Sequence, residues 1–517
     1  MAHRAAALAA VLTLAALAGF AGPGCRSGVE PRSSAPSRAT LRVYALGTIA
    51  GALEPCGCVK DMLGGMDHAA AFVRADAAGQ PATLLIGAGP MLFLDPALPK
   101  IGDTQQRWKA QAIAESFRDL SLLAWAPGRN DSAAGTSELA RLERVSGATL
   151  LGGEPGAQPA RVIEAGGQRV GLAAGNSVAD LERAQRELSA AGAKIVFALL
   201  ALPRGEALRL LDRVPGFDLA VLGKASDEGD ANDAPTPPVL IGDTLVVQPP
   251  NHLQAIAVVD FHVADGDFHF QDGSGVRDIE RRERLAARAR ELEQRLVAWE
   301  KPGSGAAEAD VRARRQELSE LERELDCPPA PSRPDGSFFT YRLVEVRERF
   351  GSDPAVLARM KDYYRRVNEH NREAYKDRLP PPVPPGASAF AGSASCGACH
   401  EEEERFWRST PHSHAYATLE RDNKQFNLDC VGCHVTGYEK PGGSTVTHVS
   451  RLENVGCEVC HGPGTLHASD PKRRDLIQRT PPRSLCASEC HHPPHVKSDW
   501  DVARVWPRIV GPGHGAP

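Results

Sequence analysis

Four short clusters of cysteine and histidine stand close together near the carboxyl end of this 517-residue chain. Three have the spacing C-x-x-C-H, and the fourth has one more residue between its cysteines. Two thiols about one helical turn apart can each add to a vinyl group of one porphyrin, and the histidine that follows can bind its iron. The spacing therefore predicts three covalently attached c-type haems and a fourth at the wider cluster. The clusters are Cys396, Cys399 and His400; Cys430, Cys433 and His434; Cys457, Cys460 and His461; and Cys486, Cys490 and His491.

Zinc sites and disulfides are the alternative uses of paired cysteines. A zinc site that contains C-x-x-C usually takes its other ligands from a dozen or more residues away. Here a histidine follows each of the four pairs directly, which favours haem. At the fourth cluster a structural disulfide between Cys486 and Cys490 stays open as the alternative.

Further histidines in the same segment are candidates for the second axial ligand of each iron, a role that histidine commonly takes. We expect His414, His467 and His495 to be the strongest candidates, followed by His448. Others of the group are expected to be solvated polar side chains. The histidines outside the four clusters in this segment are His412, His414, His448, His467, His492 and His495.

This segment resembles the tetrahaem cytochrome c family typified by an electron carrier of ammonia-oxidising bacteria. The resemblance implies covalent haem, electron transfer, and distal-ligand roles for His414 and His467. The widened fourth cluster departs from the family pattern, which leaves its ligand pairing open. The matching stretches are 396–400 with Phe406 and Trp407, 409–415, 430–438, and 455–464 with His467.

The length of the chain predicts two to four domains. The net charge of −5 gives no indication of a nucleic-acid partner. Of the 12 cysteines, eight belong to the haem clusters, and the others are Cys25, Cys56, Cys58 and Cys327.

Residues 1–24 are typical of an export signal, because Arg4 precedes an apolar run rich in alanine and leucine. A membrane-spanning helix is the alternative, although the run is short. Cys25 stands where a bacterial lipoprotein cysteine would, so lipid anchoring and a free mature end are both open. Residues 26–40 form a tether rich in serine, proline and arginine. We expect a bacterial protein exported to the periplasm or to the outer face of a membrane.

Residues 41–270 are predicted to form a layered α/β domain, because short apolar runs alternate with helical patterns. The strand-like runs are 41–46, 82–86, 169–173, 194–199, 219–222, 244–247 and 255–261. The helix-like runs include 64–77, 110–120, 137–145 and 178–191.

This α/β region resembles the metallophosphoesterase domain of periplasmic nucleotidases. Those enzymes hold two metal ions with aspartate, histidine and asparagine, and such ions require these ligands to bridge a phosphate. Here most of the corresponding residues are replaced, and Asn130 and Asp131 alone cannot hold two metals. The resemblance therefore predicts a catalytically inactive scaffold, with an active metal-dependent phosphohydrolase as the alternative. The replaced motifs are 47–51, 87–90, 128–131 and 223–226.

Cys56 and Cys58 stand where the first metal-binding loop of such a domain would be. No histidine follows them, so haem attachment is not indicated. A disulfide or structural role is favoured, while a redox pair and soft-metal ligands stay open.

Residues 277–327 are predicted to form a helical hairpin, since leucines and alanines recur there at coiled-coil spacing. Cys327 ends it without an assigned partner. A connector with a strand at 338–347 and a helix at 354–376 spans 337–378, followed by a Pro-rich linker at 379–390. The haem segment, mostly helix and loop, covers 391–498, and 499–517 is a tail.

We therefore expect an electron carrier rather than a catalyst, working with redox partner proteins or quinol-linked donors. A multihaem reductase with one open iron, acting on nitrite, hydroxylamine or a sulfur oxyanion, is the alternative.

Overall fold

The structure is a computed structural model that describes residues 38–55, 62–152, 158–229, 231–299, 307–326, 334–492, 496 and 500–511, with residue 280 described by its backbone alone. The predictions for the export signal, Cys25, the Cys56 and Cys58 pair, Cys327 and His495 lie outside the described residues. Within these ranges no helix is long and apolar enough to cross a bilayer. The chain divides into a larger unit, Ser37–Arg281 with Pro331–Pro517, and a smaller unit that contains Arg282–Ala330.

Two mixed β-sheets form the centre of the larger unit. In the first sheet, four parallel strands are extended on one side by strands from later in the chain. Numbered along the chain and named in spatial order, its strands are β12 (Gln271–Asp272), β13 (Phe338–Glu345), β11 (Ala255–His262), β1 (Leu41–Leu46), β2 (Thr83–Ala88), β3 (Leu122–Ala126) and β4 (Thr149–Leu150).

The second sheet has a parallel centre with an antiparallel strand at each edge. Its strands in spatial order are β5 (Ala160–Ala165), β6 (Gln168–Ala174), β7 (Ile195–Ala201), β8 (Leu219–Gly223), β10 (Thr244–Val247) and β9 (Val239–Ile241).

The sheets pack face to face, and helices cover their outer faces. Alternation along β1 shows why, since successive side chains of a strand point to opposite sides. Leu41, Val43 and Ala45 lie in the core between the sheets, whereas Tyr44 and Leu46 lie in the core beneath the helices. The helices over the first sheet are α1 (Met66–Ala77), α2 (Asp103–Asp119), α3 (Thr136–Ser146) and α8 (Pro354–Ala374), and those over the second are α4 (Val178–Ala190) and α5 (Arg204–Arg213).

The layered α/β fold predicted for this region is confirmed, and all seven strand-like runs are strands. The domain nevertheless extends past residue 270. Strand β13, which the sequence placed in the connector, pairs antiparallel with β11 along eight residues, from Ala255 opposite Glu345 to His262 opposite Phe338. The helical hairpin is thus an insertion between β12 and β13. Two strands that pair across an insertion of this length are too far apart in the sequence for a local pattern to predict their pairing.

The smaller unit is an antiparallel helical hairpin, as predicted. It consists of most of α6 (Val276–Trp299) and of α7 (Glu308–Asp326). Arg288 forms an ion pair with Glu317 at 2.9 Å, and Arg282 donates to the carbonyl of Leu325, so the two helices run in opposite directions. Leu292 and Leu296 are buried in this unit, which is consistent with the predicted seam.

The haem segment consists of short helices and turns. Among its described residues, β structure is limited to two isolated bridges. Its own apolar core is small, with five buried members: Tyr416, Leu419, Val431, Val435 and Val446. Its helices are α9 (Ser393–Gly397), α10 (Glu401–Arg408), α11 (Ala415–Arg421), α12 (Val431–His434), α13 (Cys457–His461), α14 (Thr465–Ser469), α15 (Ser484–Glu489) and α16 (Val502–Val505).

The Pro-rich stretch predicted as a spacer packs along the haem segment instead. The ring of Phe390 lies against Gly437, where an added Cβ would come within 2.6 Å of the ring. The amide of Gly442 donates to the carbonyl of Pro381 at 2.9 Å, and the amide of Ala389 donates to the hydroxyl of Thr465 at 2.7 Å. We call residues 379–392 the strap, because they follow the surface of the segment that they precede.

Candidate haem-attachment site

Each cysteine–histidine cluster folds as a single turn. In the first, the amide of His400 donates to the carbonyl of Cys396 at 2.9 Å, the normal i to i+4 bond. In the fourth, the amide of His491 donates to the carbonyl of Cys486 at 2.7 Å, which is an i to i+5 bond. A π-type turn accommodates one extra residue. The widened cluster therefore still places its histidine directly after a closed turn that carries both cysteines.

The thiols at these clusters are available for attachment. Cys396, Cys399, Cys430, Cys457, Cys460 and Cys486 are free thiols, so the disulfide considered for Cys486 is not formed. Most of these cysteines are partly exposed, and Cys399 is exposed.

The four clusters lie close together, and contacts join the first with the third and the second with the fourth. A hydrogen bond with Cys396 lowers the pKa of Cys457 to about 7, which places the thiols of the first and third clusters side by side. Burial raises the pKa of Cys460 to about 11, and the nearby Cys486 of the fourth cluster adds to this shift. The thiol of Cys433 lies 3.8 Å from a carbonyl of the fourth cluster. Contacts thus join the first cluster to the third and the second cluster to the fourth, and Cys486 of the fourth cluster is close enough to Cys460 to affect its pKa.

Two of the cluster histidines are oriented as metal-bound histidines usually are. Nδ1 of His434 lies 2.6 Å from the carbonyl oxygen of Ala415, and Nδ1 of His461 lies 2.7 Å from that of Gln478. A carbonyl can only accept, so Nδ1 is the donor in both rings and Nε2 carries the lone pair. A hydrogen bond of this kind fixes the tautomer that binds a metal through Nε2.

His448 has the same tautomer for a less obvious reason. Its Nδ1 lies 3.3 Å from the hydroxyl of Thr445 and 3.1 Å from that of Thr447. These hydroxyls donate their protons to the carbonyls of Arg378 and Tyr375, at 2.8 and 2.6 Å. Each hydroxyl has only one proton, so Nδ1 of His448 must donate and Nε2 keeps its lone pair.

The other candidate distal ligands differ in their surroundings. Nδ1 of His467 lies 3.3 Å from the carbonyl of Arg473, which favours a lone pair on Nε2 here too. His414 is exposed at the end of the turn Pro411–His414. His400, in the first cluster, is exposed beside Glu403, with 3.9 Å between Nδ1 and the carboxylate.

His412, which was not among the expected ligands, faces a cluster histidine directly. The ring centres of His412 and His491 are 6.1 Å apart, and Trp500 stacks on His491 with ring centres 5.0 Å apart. Two imidazoles bound to opposite sides of one iron have centres about 6 Å apart, because each metal–nitrogen bond is about 2 Å long. Burial, reinforced by His491, lowers the pKa of His412, which favours the neutral form that binds metals.

The four replaced motifs of the α/β domain do converge, at the carboxyl ends of β1, β2, β3 and β8. The hydroxyl of Thr48 accepts from the amide of Lys224 at 2.8 Å. Nδ2 of Asn130 donates to the carbonyls of Leu94 and Asp227 at 2.6 and 2.8 Å. Gly223 is required here, because an added Cβ would lie 1.9 Å from a backbone oxygen of β2.

The ammonium group of Lys224 lies against two carboxylates at the place where these loops meet. Nζ of Lys224 lies 2.8 Å from carboxylate oxygens of both Asp227 and Asp233. Burial lowers the pKa of Lys224, but its hydrogen bonds with the two aspartates outweigh this and raise it overall. The cation therefore neutralises the carboxylates that face it.

Asp131 accepts hydrogen bonds from backbone amides. Its carboxylate accepts from the amides of Met91 and Leu92 at 2.8 Å and from that of Gly128 at 3.1 Å. Complete burial raises the pKa of Asp131 to about 6, although these three hydrogen bonds oppose the shift. Among the described residues, no three histidine, cysteine, aspartate or glutamate side chains converge as a metal-ion site.

The haem segment is joined to the α/β domain by a buried polar network. Nε2 of Gln105 on α2 donates to Asn427 at 3.1 Å, and its Oε1 accepts from Asn371 on α8 at 2.9 Å. All three side chains are at most 2% exposed. At the edge of the network, Lys424 pairs with Glu54 at 2.5 Å. The second haem cluster follows directly, at Cys430.

Comparison with known proteins agrees with this division of the chain. The cytochrome family described as "Cytochrome c554 and c-prime" matches residues 395–462. Cytochrome c-554 of Nitrosomonas europaea is 33% identical over 100 residues, which cover 16% of this chain and 43% of that protein. The chain thus spans less than half the length of this relative. The predicted resemblance of the C-terminal segment to a cytochrome c family is confirmed.

Several solved structures are similar to most of the chain in architecture. A sulfate thiohydrolase SoxB of Thermus thermophilus, in complex with glycerol, has a TM-score of 0.43 at 12% identity, covering 81% of this chain and 74% of that one. A 5'-nucleotidase precursor, also of Thermus thermophilus, has a TM-score of 0.42 at 15% identity, covering 80% and 73%. We draw no functional conclusion from likenesses at this level.

Proposed function

We propose that this chain is an exported multihaem c-type cytochrome that carries electrons through four covalently bound haems. The observation that supports this most strongly is the grouping of four clusters in one segment, each with two cysteines and a histidine on one turn. The family match to residues 395–462 covers three of these clusters.

The residues present fit a bound haem. Each cluster offers two thiols and a histidine, and the Nδ1 bonds of His434 and His461 leave Nε2 as the ligating nitrogen. The apolar core cluster of the described part of the segment has only five buried members, so covalently held porphyrins would supply much of its core. When bound, haem supplies one-electron redox chemistry, and this chain sets its position, its axial ligands and its exposure.

His412 and His491 are the axial pair that the geometry supports best, with the ring centres 6.1 Å apart. For the other irons the cluster histidines His400, His434 and His461 are the proximal ligands in this proposal. His448 and His467 are distal candidates, since both rings have Nδ1 beside an oxygen and Nε2 as the lone-pair nitrogen.

The α/β domain is a catalytically inactive scaffold in this proposal. Lys224 holds Asp227 and Asp233 at 2.8 Å, so these carboxylates already have a positive partner. A divalent ion would have to displace that ammonium against charge repulsion. The domain instead supports the haem segment through the network at Gln105 and Asn371.

Export to the periplasm and electron exchange with redox partner proteins complete the proposal. Two observations support export. Residues 1–24 have the pattern of an export signal, and c-type haem is attached outside the cytoplasm in the family that the C-terminal segment resembles. Attachment to a membrane through a lipid on Cys25 is part of the same hypothesis.

The intact mass of the protein, matured in a host that attaches c-type haem, tests both haem attachment and export. We expect a mass that corresponds to four haems and a chain cleaved before Cys25, with acyl groups if this cysteine is lipidated. A colourless product with unmodified cysteines would overturn the proposal. A high-spin ferric signal from one haem, with uptake of nitrite or, after reduction to the ferrous state, of carbon monoxide, would favour a multihaem reductase, the alternative function.

A further inference from the structure

A buried carboxylate lies inside the third haem cluster. Glu458 stands between Cys457 and Cys460 and is 3% exposed. Its two oxygens accept three backbone hydrogen bonds. Oε1 accepts from the amides of Ala391 and Gly464 at 2.8 and 2.7 Å, and Oε2 accepts from the amide of Gly392 at 2.7 Å.

These three amides belong to two different parts of the haem segment. Ala391 and Gly392 end the strap, directly before α9, which carries the first cysteine of the first cluster. Gly464 directly precedes α14, which carries His467. One side chain thus connects the third cluster with the start of the first cluster and with a candidate distal ligand.

A second bond supports the same connection. The hydroxyl of Ser393, the first residue of α9, accepts from the amide of Cys457 at 3.2 Å. The first and third clusters are therefore held together by short-range bonds and not by apolar packing alone.

We propose that Glu458 is a positioning residue that fixes the spacing between the first and third haems. This inference rests on the proposed function, because it requires haem at both clusters. Only an acceptor with two free oxygens serves three converging amides. A glutamine would place its own N–H groups against at least one of them, and an alanine would leave all three without this partner.

Reduction potentials report this spacing. Reduction changes the charge of an iron by one, so reducing one haem makes its neighbour harder to reduce, to a degree that falls as the distance grows. The separation between the two midpoint potentials therefore includes an interaction that weakens as the two irons move apart. Loss of the carboxylate charge also shifts the midpoints, and Glu458→Gln, which removes the charge but keeps the size of the side chain, measures that shift.

The test compares Glu458→Ala, Glu458→Gln and Glu458→Asp with the matched control Glu402→Gln, a change at an exposed glutamate on α10. We expect Glu458→Ala to reduce the separation of the two midpoints in a spectroelectrochemical titration of the full-length haem protein. Glu458→Gln should do so less, Glu458→Asp should restore part of it, and the control should match the unaltered protein. Unchanged separation in Glu458→Ala at full haem content would overturn the inference.

Hydrogen exchange of the full chain provides a readout that does not depend on haem. At least one of the amides of Ala391, Gly392 and Gly464 should lose protection in Glu458→Gln, and all three should keep it in the control. Equal protection in both would contradict the positioning role, even if Glu458→Ala failed to mature. A lack of haem in the unaltered protein would instead contradict the proposed function, so the two failures are distinguishable.

Discussion

The imidazoles of His412 and His491 face each other with ring centres 6.1 Å apart, although they come from opposite ends of the haem segment. His412 follows the first cluster and His491 closes the fourth. The backbone of His412 is fixed at this place by the amide of Val455, which donates to its carbonyl at 3.1 Å. The widened cluster is thereby given a second imidazole.

Replacement of His412 should change the spin state of one haem. We expect His412→Ala to convert one low-spin ferric haem to high spin without loss of haem, as measured by electron paramagnetic resonance and intact mass. His414→Ala is the matched control, because His414 is two residues away and exposed. A high-spin signal from the control and none from His412→Ala would show that the sequence-based choice of His414 was right.

The fourth cluster should bind haem despite its extra residue. We expect the double replacement of Cys486 and Cys490 by alanine to lower the mass by one haem, because its π-type turn carries both cysteines and the histidine. Cys327→Ala, outside all clusters, should keep the full mass. An unchanged haem count in the double variant would restrict attachment to the three strict motifs.

Removal of the Lys224 ammonium should destabilise the α/β domain. Lys224→Ala would leave Oδ1 of Asp227, whose side chain is 7% exposed, without its ammonium partner, while Oδ2 keeps the hydrogen bond from Asn251. We expect a loss of about 1–3 kcal/mol in the free energy of unfolding, measured by thermal or urea denaturation, and no hydrolysis of nucleotide esters. The exposed Lys194→Ala provides the control. Metal-dependent hydrolysis by the unaltered protein would contradict the role of Lys224.

Asp131 should make stability fall as the pH rises. Its pKa is about 6 in the folded protein against an ordinary value of 3.8, so the folded state binds more protons between these values. Stability contributed by this group is greatest below about pH 4 and decreases by about 3 kcal/mol as the pH rises to about 6. Urea denaturation at several pH values should show this slope, and Asp131→Asn should abolish it. Parallel curves for both proteins would refute the prediction.

Local patterns were sufficient for much of the fold. The apolar run at Leu41–Leu46 gives the bounds of β1 without error, and the C-x-x-C-H spacing locates three turns that carry the clusters. Strand β3 was missed, because five apolar residues directly after a helix have no period that separates a strand from more helix.

Relations between distant residues were beyond the sequence. Replacement of metal ligands was visible in the motifs, but the partnership of Lys224 with Asp227 and Asp233 depends on loops that only the folded sheet brings together. His412 and His414 are histidines two residues apart, so the sequence alone gives no reason to prefer either as a ligand. Only the position of His491 near His412 distinguishes them. The strap was predicted to be a spacer because a high proline content indicates a stiff segment. Proline content does not indicate which surface that segment packs against.

The hydrogen-bonded junction at Gln105, Asn371 and Asn427 limits motion between the haem segment and the α/β domain. Sealed side chains that bond one another across two regions resist hinge motion, because opening them would leave amides unsatisfied. In the proposed cytochrome, the haems would therefore keep a fixed position on the α/β domain. Electrons would then reach and leave the haems through partner molecules that bind and dissociate.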